Sequence, residues 1–266
     1  MKITVDNVTF TYPAGVTALR QVSLAVDTGE TVAIIGQNGA GKTTLAKHLN
    51  GLLKPNQGRV LVGEWDTRQQ TVAQLAGRVG YVFQNPDDQL FESTVWAEVA
   101  FGPRNLGYGE AEVEAAVAEA LGQVQLEEVA QIHPYDLHAA QRKRVALAAV
   151  LAMQTPAVIF DEPTTGQDSR GVALIGAIIE SLKRDGRSVL AISHDIDFCA
   201  EHFERVVVMG QGQVLADGAA AAVLGQAELL AQTDVQPPQL ARLAAALGLP
   251  GTPLTVAAFL DKLAGQ

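Results

Sequence analysis

Residues 36–43 read Gly36-Gln37-Asn38-Gly39-Ala40-Gly41-Lys42-Thr43, an unbroken match to G-x-x-x-x-G-K-[ST]. Glycines at these places let a backbone curl with its N–H groups turned inward, which makes a nest for phosphate oxygens at a helix N-terminus. In such a nest Lys42 reaches the β- and γ-phosphates of a nucleotide, and the Thr43 hydroxyl ligates Mg²⁺. Chance is a weak rival. With 25 Gly, 7 Lys and 23 Ser plus Thr, a shuffled chain carries the pattern about once in two hundred trials. The surroundings agree: the apolar run Thr31–Ile35 precedes the loop as a buried parallel strand should. A helical stretch over 43–49 follows it, stopped by Gly51 and Pro55.

Around that loop the chain alternates between strand and helix. Ile3, Val5, Val8 and Phe10 are interleaved with polar residues, and Val22, Leu24 and Val26 repeat the alternation before Thr28-Gly29. Further strands are expected at 59–62, 79–83, 157–160, 189–193, 205–209 and 213–215. Residues 86–153 switch to a helical pattern centred on GEAEVEAAVAEALGQV from Gly109, as a helical insertion into a sheet-based domain would. From Ala231 the composition shifts through Pro237-Pro238 to two short Ala/Leu-rich amphipathic segments, separated by Pro250-Gly251-Thr252-Pro253. Strands alternating with helices imply βαβ units and an α/β fold with a mostly parallel sheet.

A second element follows the run 157–160: Asp161-Glu162-Pro163. Two consecutive carboxylates after a strand point to opposite sides of the backbone. Asp161 is expected at the Mg²⁺ end of a phosphate site, and Glu162 where it can polarise a water for attack on the γ-phosphorus. Alone, such a triplet is usually the polar start of a loop; the phosphate loop upstream gives it meaning. Three single residues are weaker signals. Gln84, after the strand at 79–83, is placed to touch Mg²⁺ or the attacking water, although a loop glutamine is ordinarily solvated. His194, after 189–193, stands where a γ-phosphate sensor could be, or serves as a core or cap residue. Tyr12 either stacks on an adenine ring or simply packs.

Composition narrows the classes. Hydrophobic residues at 48% with 18% charged residues describe a folded globular chain rather than a disordered one. The formal net charge of −10 argues against a nucleic-acid partner, whose affinity comes mainly from neutralising phosphates. The longest apolar run, 145–153 (VALAAVLAM), is far below the roughly 18 residues that span a bilayer. The N-terminus, MKITVDNVTF, lacks the apolar core of a signal peptide. The one cysteine, Cys199, can form neither an internal disulfide nor a Cys-based metal site and reads as a buried thiol. A soluble intracellular α/β protein is expected.

Taken in order, Tyr12, GQNGAGKTT (ending in Thr44), Gln84, FDEP, TTGQD at 164–168 and SHD at 193–195 resemble the ATP-binding-cassette (ABC) ATPases over about residues 1–225. More narrowly, YVFQNPDDQLFESTVWAEVAFGPRNLG from Tyr81, with the tail PPQLARLAAALGLPGTPLTVAAFL, is similar to the ATPase of energy-coupling-factor importers of vitamins, cobalt or nickel. That resemblance implies a P-loop NTPase domain over 1–230, with an antiparallel β subdomain and a helical subdomain at about 86–153. It implies a helical dimerisation extension over 231–266. It further implies ATP and Mg²⁺ as cofactors, with Tyr12, residues 36–43 and Thr44 on the nucleotide, Thr43, Gln84 and Asp161 at the metal, and Lys42, Gln84, Glu162 and His194 in catalysis. Two such ATPase subunits would sandwich two nucleotides at the cytoplasmic face of the membrane. A transmembrane coupling protein would dock beside the segment after Gln84, and a separate membrane protein would bind the cargo. Asp87, Asp88 and Glu92 are either attractors for basic residues of the coupling protein or a solvated loop.

One motif departs from the family. Where Leu-Ser-Gly-Gly-Gln is expected to close over the partner's γ-phosphate, the chain has Leu137-His138-Ala139-Ala140-Gln141. Two methyls stand where close backbone approach is wanted, and restrict any positive-φ geometry. An imidazole, still able to donate, replaces a compact hydroxyl. Losing one transition-state donor typically costs about 3–4 kcal/mol. The expectation is a heterodimer with one competent and one impaired composite site. A tolerated variant, deliberately introduced substitutions and a homodimer of low activity are compatible as well. A soluble non-transport ATPase and a non-catalytic nucleotide-gated subunit are the rival functions.

Overall fold

The computed structural model describes residues 1–264; residues 265 and 266 of the expected 231–266 extension lie outside the described residues. The strands, in chain order, are β1 (Ile3–Thr11), β2 (Thr17–Val26), β3 (Thr31–Ile35), β4 (Gln57–Val62), β5 (Trp65–Asp66), β6 (Val79–Val82), β7 (Ala157–Asp161), β8 (Ser188–Ile192), β9 (Arg205–Gly210) and β10 (Gln213–Ala219). They form two sheets. One is antiparallel, in the order β2-β1-β4-β5; the other has the order β10-β9-β3-β8-β7-β6, parallel except at β10.

The strands of the parallel sheet are continuous apolar runs because both faces are covered. Alternation along each strand sends successive side chains to different cores. Val32, Ile34, Ile159, Leu190 and Ile192 pack toward the antiparallel sheet with Ile3, Val5 and Phe10. Ala33, Ile35, Val158 and Phe160 pack toward the helices on the other face. This register places the carboxyl ends of β3, β8, β7 and β6 side by side on one edge, where open α/β sheets bind ligands.

The helix after β3, α1 (Lys42–Leu49), begins one residue before the sequence pattern suggests, because left-handed Gly41 takes its cap position. After α2 (Val72–Ala76) come α3 (Val95–Asn105), α4 (Glu110–Val124) and α5 (Ala139–Leu151), with one 3₁₀ turn before α3 and two between α4 and α5, where residues 86–153 read as helical. The buried set Val113, Ala116, Val117, Ala120, Leu121 and Val124 follows the i, i+3, i+4, i+7 stripe of a one-faced helix. Next are α6 (Ser169–Arg184) and α7 (Ile196–His202), then the short α8 (Ala220–Leu224) and α9 (Ala227–Ala231). The two amphipathic segments of the tail are α10 (Gln239–Ala246) and α11 (Val256–Ala264), held together by Leu240, Ala244, Leu249 and Phe259. β10 extends to Ala219, four residues past its sequence expectation.

Candidate functional site

The loop after β3 is shaped by two glycines. Gly36 takes φ 142° and Gly41 φ 101°. A Cβ on Gly36 would lie 2.1 Å from the Met209 carbonyl oxygen of β9, and one on Gly41 2.6 Å from that of Ala18. Both positions therefore need glycine for backbone approach as well as for dihedral freedom. Gln37, Asn38 and Gly39 form the open tip of the loop, while Ala40 is buried behind it. Lys42, buried at 7% exposure, folds across the mouth: its Nζ donates to the carbonyls of Gly36 (2.6 Å) and Gln37 (3.0 Å). Burial pulls the Lys42 pKa below its ordinary value, against the opposing charges of Glu162 and Asp161.

Asp161 closes β7 beside this loop, with each oxygen held by a hydroxyl. Thr43 Oγ1 donates to Oδ1 (3.3 Å) and the Tyr81 hydroxyl donates to Oδ2 (2.7 Å). Burial and the Asp161 charge push the Tyr81 hydroxyl's pKa up, so it stays a donor through the alkaline range. Gln84, exposed after β6, lines the same cavity as Lys42, Thr43 and Glu162. Thr43, Gln84 and Asp161 thus offer oxygen donors beside a phosphate nest, a set that fits a hard cation such as Mg²⁺.

Glu162 sits at φ 52°, a left-handed value that costs a non-glycine residue about 1–3 kcal/mol. Its N–H donates to the Ile192 carbonyl (2.8 Å), and its Oε2 lies 2.7 Å from Nδ1 of His194. The two expected catalytic side chains therefore touch, at the mouth of the phosphate loop, in a cavity of about 800 Å³ that they share with Gly36, Asn38 and Gln84. Tyr12 stands at the far side of the loop. Its hydroxyl pairs with Thr44 Oγ1 (3.0 Å), and its ring meets Phe10 edge-on at 4.8 Å. Thr44 Oγ1 thus shares one hydrogen bond with Tyr12, and its backbone N–H stays within α1 at the mouth of the loop.

The aligned signature, Leu137 to Gln141, lies at the start of α5 and does not line the cavity that Glu162 shares with His194. His138 is the N-cap, and its Nδ1 accepts the Gln141 N–H at 3.3 Å. That leaves Nε2 as the ring's possible donor. Ala139 and Ala140 occupy the first helical turn and are absent from the positive-φ residues. The expected backbone restriction does not arise there; the methyls change only how closely another molecule can approach.

Several side chains around the site escaped the sequence reading. Lys143 is buried, and its Nζ donates to the carbonyls of Glu162 and Thr165. Burial pushes its pKa down to about 8, against the pull of Glu162 and Asp161. The signal was available: residues 143, 146, 147 and 150 form one helical stripe, and all are buried. Asp87 lies 2.9 Å from Arg142 Nε in a partly exposed ion pair. Glu98, buried and with its pKa raised by burial, accepts the N–H groups of Phe91 (2.8 Å) and Glu92 (2.7 Å).

The family model described as ABC transporter matches residues 19–165. The chain belongs to that family. It shares 42% identity with the energy-coupling factor transporter ATP-binding protein EcfA of Methanothermobacter thermautotrophicus, over 94% of this chain and 81% of that protein. It shares 42% identity with the cobalt import ATP-binding protein CbiO of Rhodobacter capsulatus, over 90% of this chain and 86% of that one. Among solved structures it is similar to cbiO1 of Clostridium perfringens, described as part of the ABC transporter complex cbiONQ. There the TM-score is 0.75 at 32% identity, covering 93% of this chain and 98% of that one. The fold is that of the P-loop ABC ATPases, and the chain is an ATP-binding, ATP-hydrolysing subunit of the importer-type ATPase group. Among the described residues no helix is long and apolar enough to cross a membrane.

Proposed function

We propose that this chain drives an energy-coupling-factor-type importer, hydrolysing ATP at the cytoplasmic face of a membrane to power uptake of a vitamin or transition-metal ion. The observation that carries this reading is an asymmetry within one subunit. Lys42, Thr43, Asp161, Glu162 and His194 are assembled around an intact phosphate loop. The N-terminus of α5 instead carries His138-Ala139-Ala140. The loop 36–43 would hold the phosphates, Lys42 exchanging its two carbonyl partners for β- and γ-oxygens. Tyr12 would stack on the adenine. Thr43, Asp161 and Gln84 would hold Mg²⁺, which supplies charge neutralisation at the γ-phosphate. Glu162 would accept the proton of the attacking water, with His194 as its partner at the γ-phosphate.

On this reading the working unit is a heterodimer. This chain's Lys42 and Glu162 meet a competent signature from a second ATPase subunit, and its own signature face completes a slower site. A tail domain over 231–266 would supply dimer contacts; Leu243, Leu247, Leu260 and Leu263 are exposed there. A transmembrane coupling protein would dock beside the segment after Gln84, in the groove lined by Phe91 and Phe101, which are exposed and meet edge-on at 4.7 Å. A separate membrane protein would bind the cargo.

Purification of the tagged chain from detergent-solubilised membranes tests the reading. A second ATPase and an integral membrane protein should co-purify; recovery without any membrane protein refutes the importer. Restoring His138→Ser, Ala139→Gly and Ala140→Gly should raise turnover of the assembled complex several-fold or more. No gain refutes an impaired face.

A further inference from the structure

Lys143 sits one turn into α5, the helix whose first residues form the signature, and its side chain is 5% exposed. Among the described residues it makes no ion pair; its ammonium is met by two backbone carbonyls, those of Glu162 and Thr165. A buried cation satisfied only by carbonyl dipoles is costly, and an apolar residue of like volume would avoid that cost. A second bond crosses the same seam: Gln167 Nε2 donates to the Ala140 carbonyl at 3.3 Å. The segment from Glu162 to Gln167 is thereby fastened to the first turns of α5.

What Lys143 holds is unusual backbone. Glu162 is left-handed, with its N–H fixed by Ile192 on one side and its carbonyl by Lys143 on the other. Strained residues persist only where their surroundings over-determine them, and these two bonds set the direction in which the Glu162 side chain leaves the chain. We propose that Lys143 is a positioning residue for hydrolysis, fastening to the signature helix the backbone from which the Glu162 carboxylate reaches His194. α5 then aligns this chain's own water-activating group while its N-terminus faces the nucleotide of a second subunit. The inference rests on the reading of Glu162 as the carboxylate that activates water.

The test is a double-mutant cycle in the assembled complex. Lys143→Met should lower kcat for ATP at least tenfold, with KM for ATP and the binding of a fluorescent ATP analogue within twofold of wild type. Lys143→Arg, which keeps the cationic donor, should recover at least a third of the rate. In the Glu162→Gln background, Lys143→Met should change the residual rate less than twofold; a general structural lesion would lower both backgrounds. A Lys143→Met kcat within twofold of wild type, or equal losses in the two backgrounds, overturns the proposal. Should Lys143→Met not accumulate, Lys143→Gln is read by the same criteria. If Glu162→Gln alone leaves turnover intact, the reading of Glu162 fails instead, and the two failures stay distinct.

Discussion

Tyr81→Phe tests whether Asp161 depends on its buried hydroxyl partner. The ring is 7% exposed and meets Phe83 at 4.8 Å, contacts that phenylalanine keeps. What disappears is one O–H···O⁻ bond of 2.7 Å to a carboxylate that is itself 2% exposed. Hydrogen bonds to charged groups contribute about 1.5–3 kcal/mol. Thr43 still reaches the other oxygen at 3.3 Å, and phenylalanine avoids burying a hydroxyl. The expected loss of unfolding free energy is therefore about 2 kcal/mol, measured in urea without nucleotide. Removing a group that orients a metal-binding carboxylate typically weakens the metal about 10–100-fold. The Mg²⁺ concentration for half-maximal ATPase activity should rise accordingly, while ATP binding in EDTA stays within twofold. Stability within 0.5 kcal/mol of wild type, with an unchanged Mg²⁺ dependence, would refute the idea that Tyr81 holds Asp161.

Two glycines of the phosphate loop should respond differently. Gly36→Ala drives a methyl to 2.1 Å from the Met209 carbonyl and should abolish ATP binding, whereas Gly39, at φ 80° with nothing within 4 Å of its Cβ position, should lose only about 1–2 kcal/mol of stability as alanine; calorimetric titration with ATP and urea unfolding separate the two. His48 is fully buried against Phe10, and burial lowers its pKa below 6.5. The unfolded chain therefore gains a proton below pH 6.5 that the folded chain refuses, and stability falls on acidification by up to about 1.4 kcal/mol per pH unit. His48→Phe should flatten that fall between pH 6.5 and 5; an unchanged slope contradicts it. Phe91→Glu, at 61% exposure, should leave stability within about 0.5 kcal/mol yet reduce stimulation of ATPase activity by membrane partners at least tenfold.

What could be read from the sequence was local. The phosphate loop is eight consecutive residues whose glycines carry their own backbone demand, and Asp161 and Glu162 follow a strand apolar on both faces. Their chemistry needed no knowledge of distant contacts. The partners of those residues come from far along the chain: Tyr81 reaches Asp161 across 80 positions, and Tyr12 reaches Thr44 across 32. Neither pairing leaves a periodic trace. β5, α2, α8 and α9 span two to five residues, too short for any hydrophobic period to register.

The signature shows the same limit from the other side. Its substitutions were plain in the sequence, and of their expected effects only the restriction of positive-φ geometry falls away, because α5 has no such residue in its first turn. In an ordinary first helical turn, Ala139 and Ala140 impose no strain, and His138 supplies the N-cap through Nδ1. The helix is therefore free to form and to carry Lys143 to the carbonyl of Glu162, whatever its N-terminus can do for another subunit's nucleotide. A chain built this way can lose one catalytic face while keeping the scaffold of the other. That makes restoration of the triplet informative: the substitutions should act on turnover with little effect on folding. Unfolding free energies of the restored and unaltered chains should agree within about 1 kcal/mol, since glycine in a first turn costs a few tenths to one kcal/mol per site and a serine cap recovers part of it. A restored chain that unfolds several kcal/mol earlier would show instead that His138-Ala139-Ala140 is needed to build the helix.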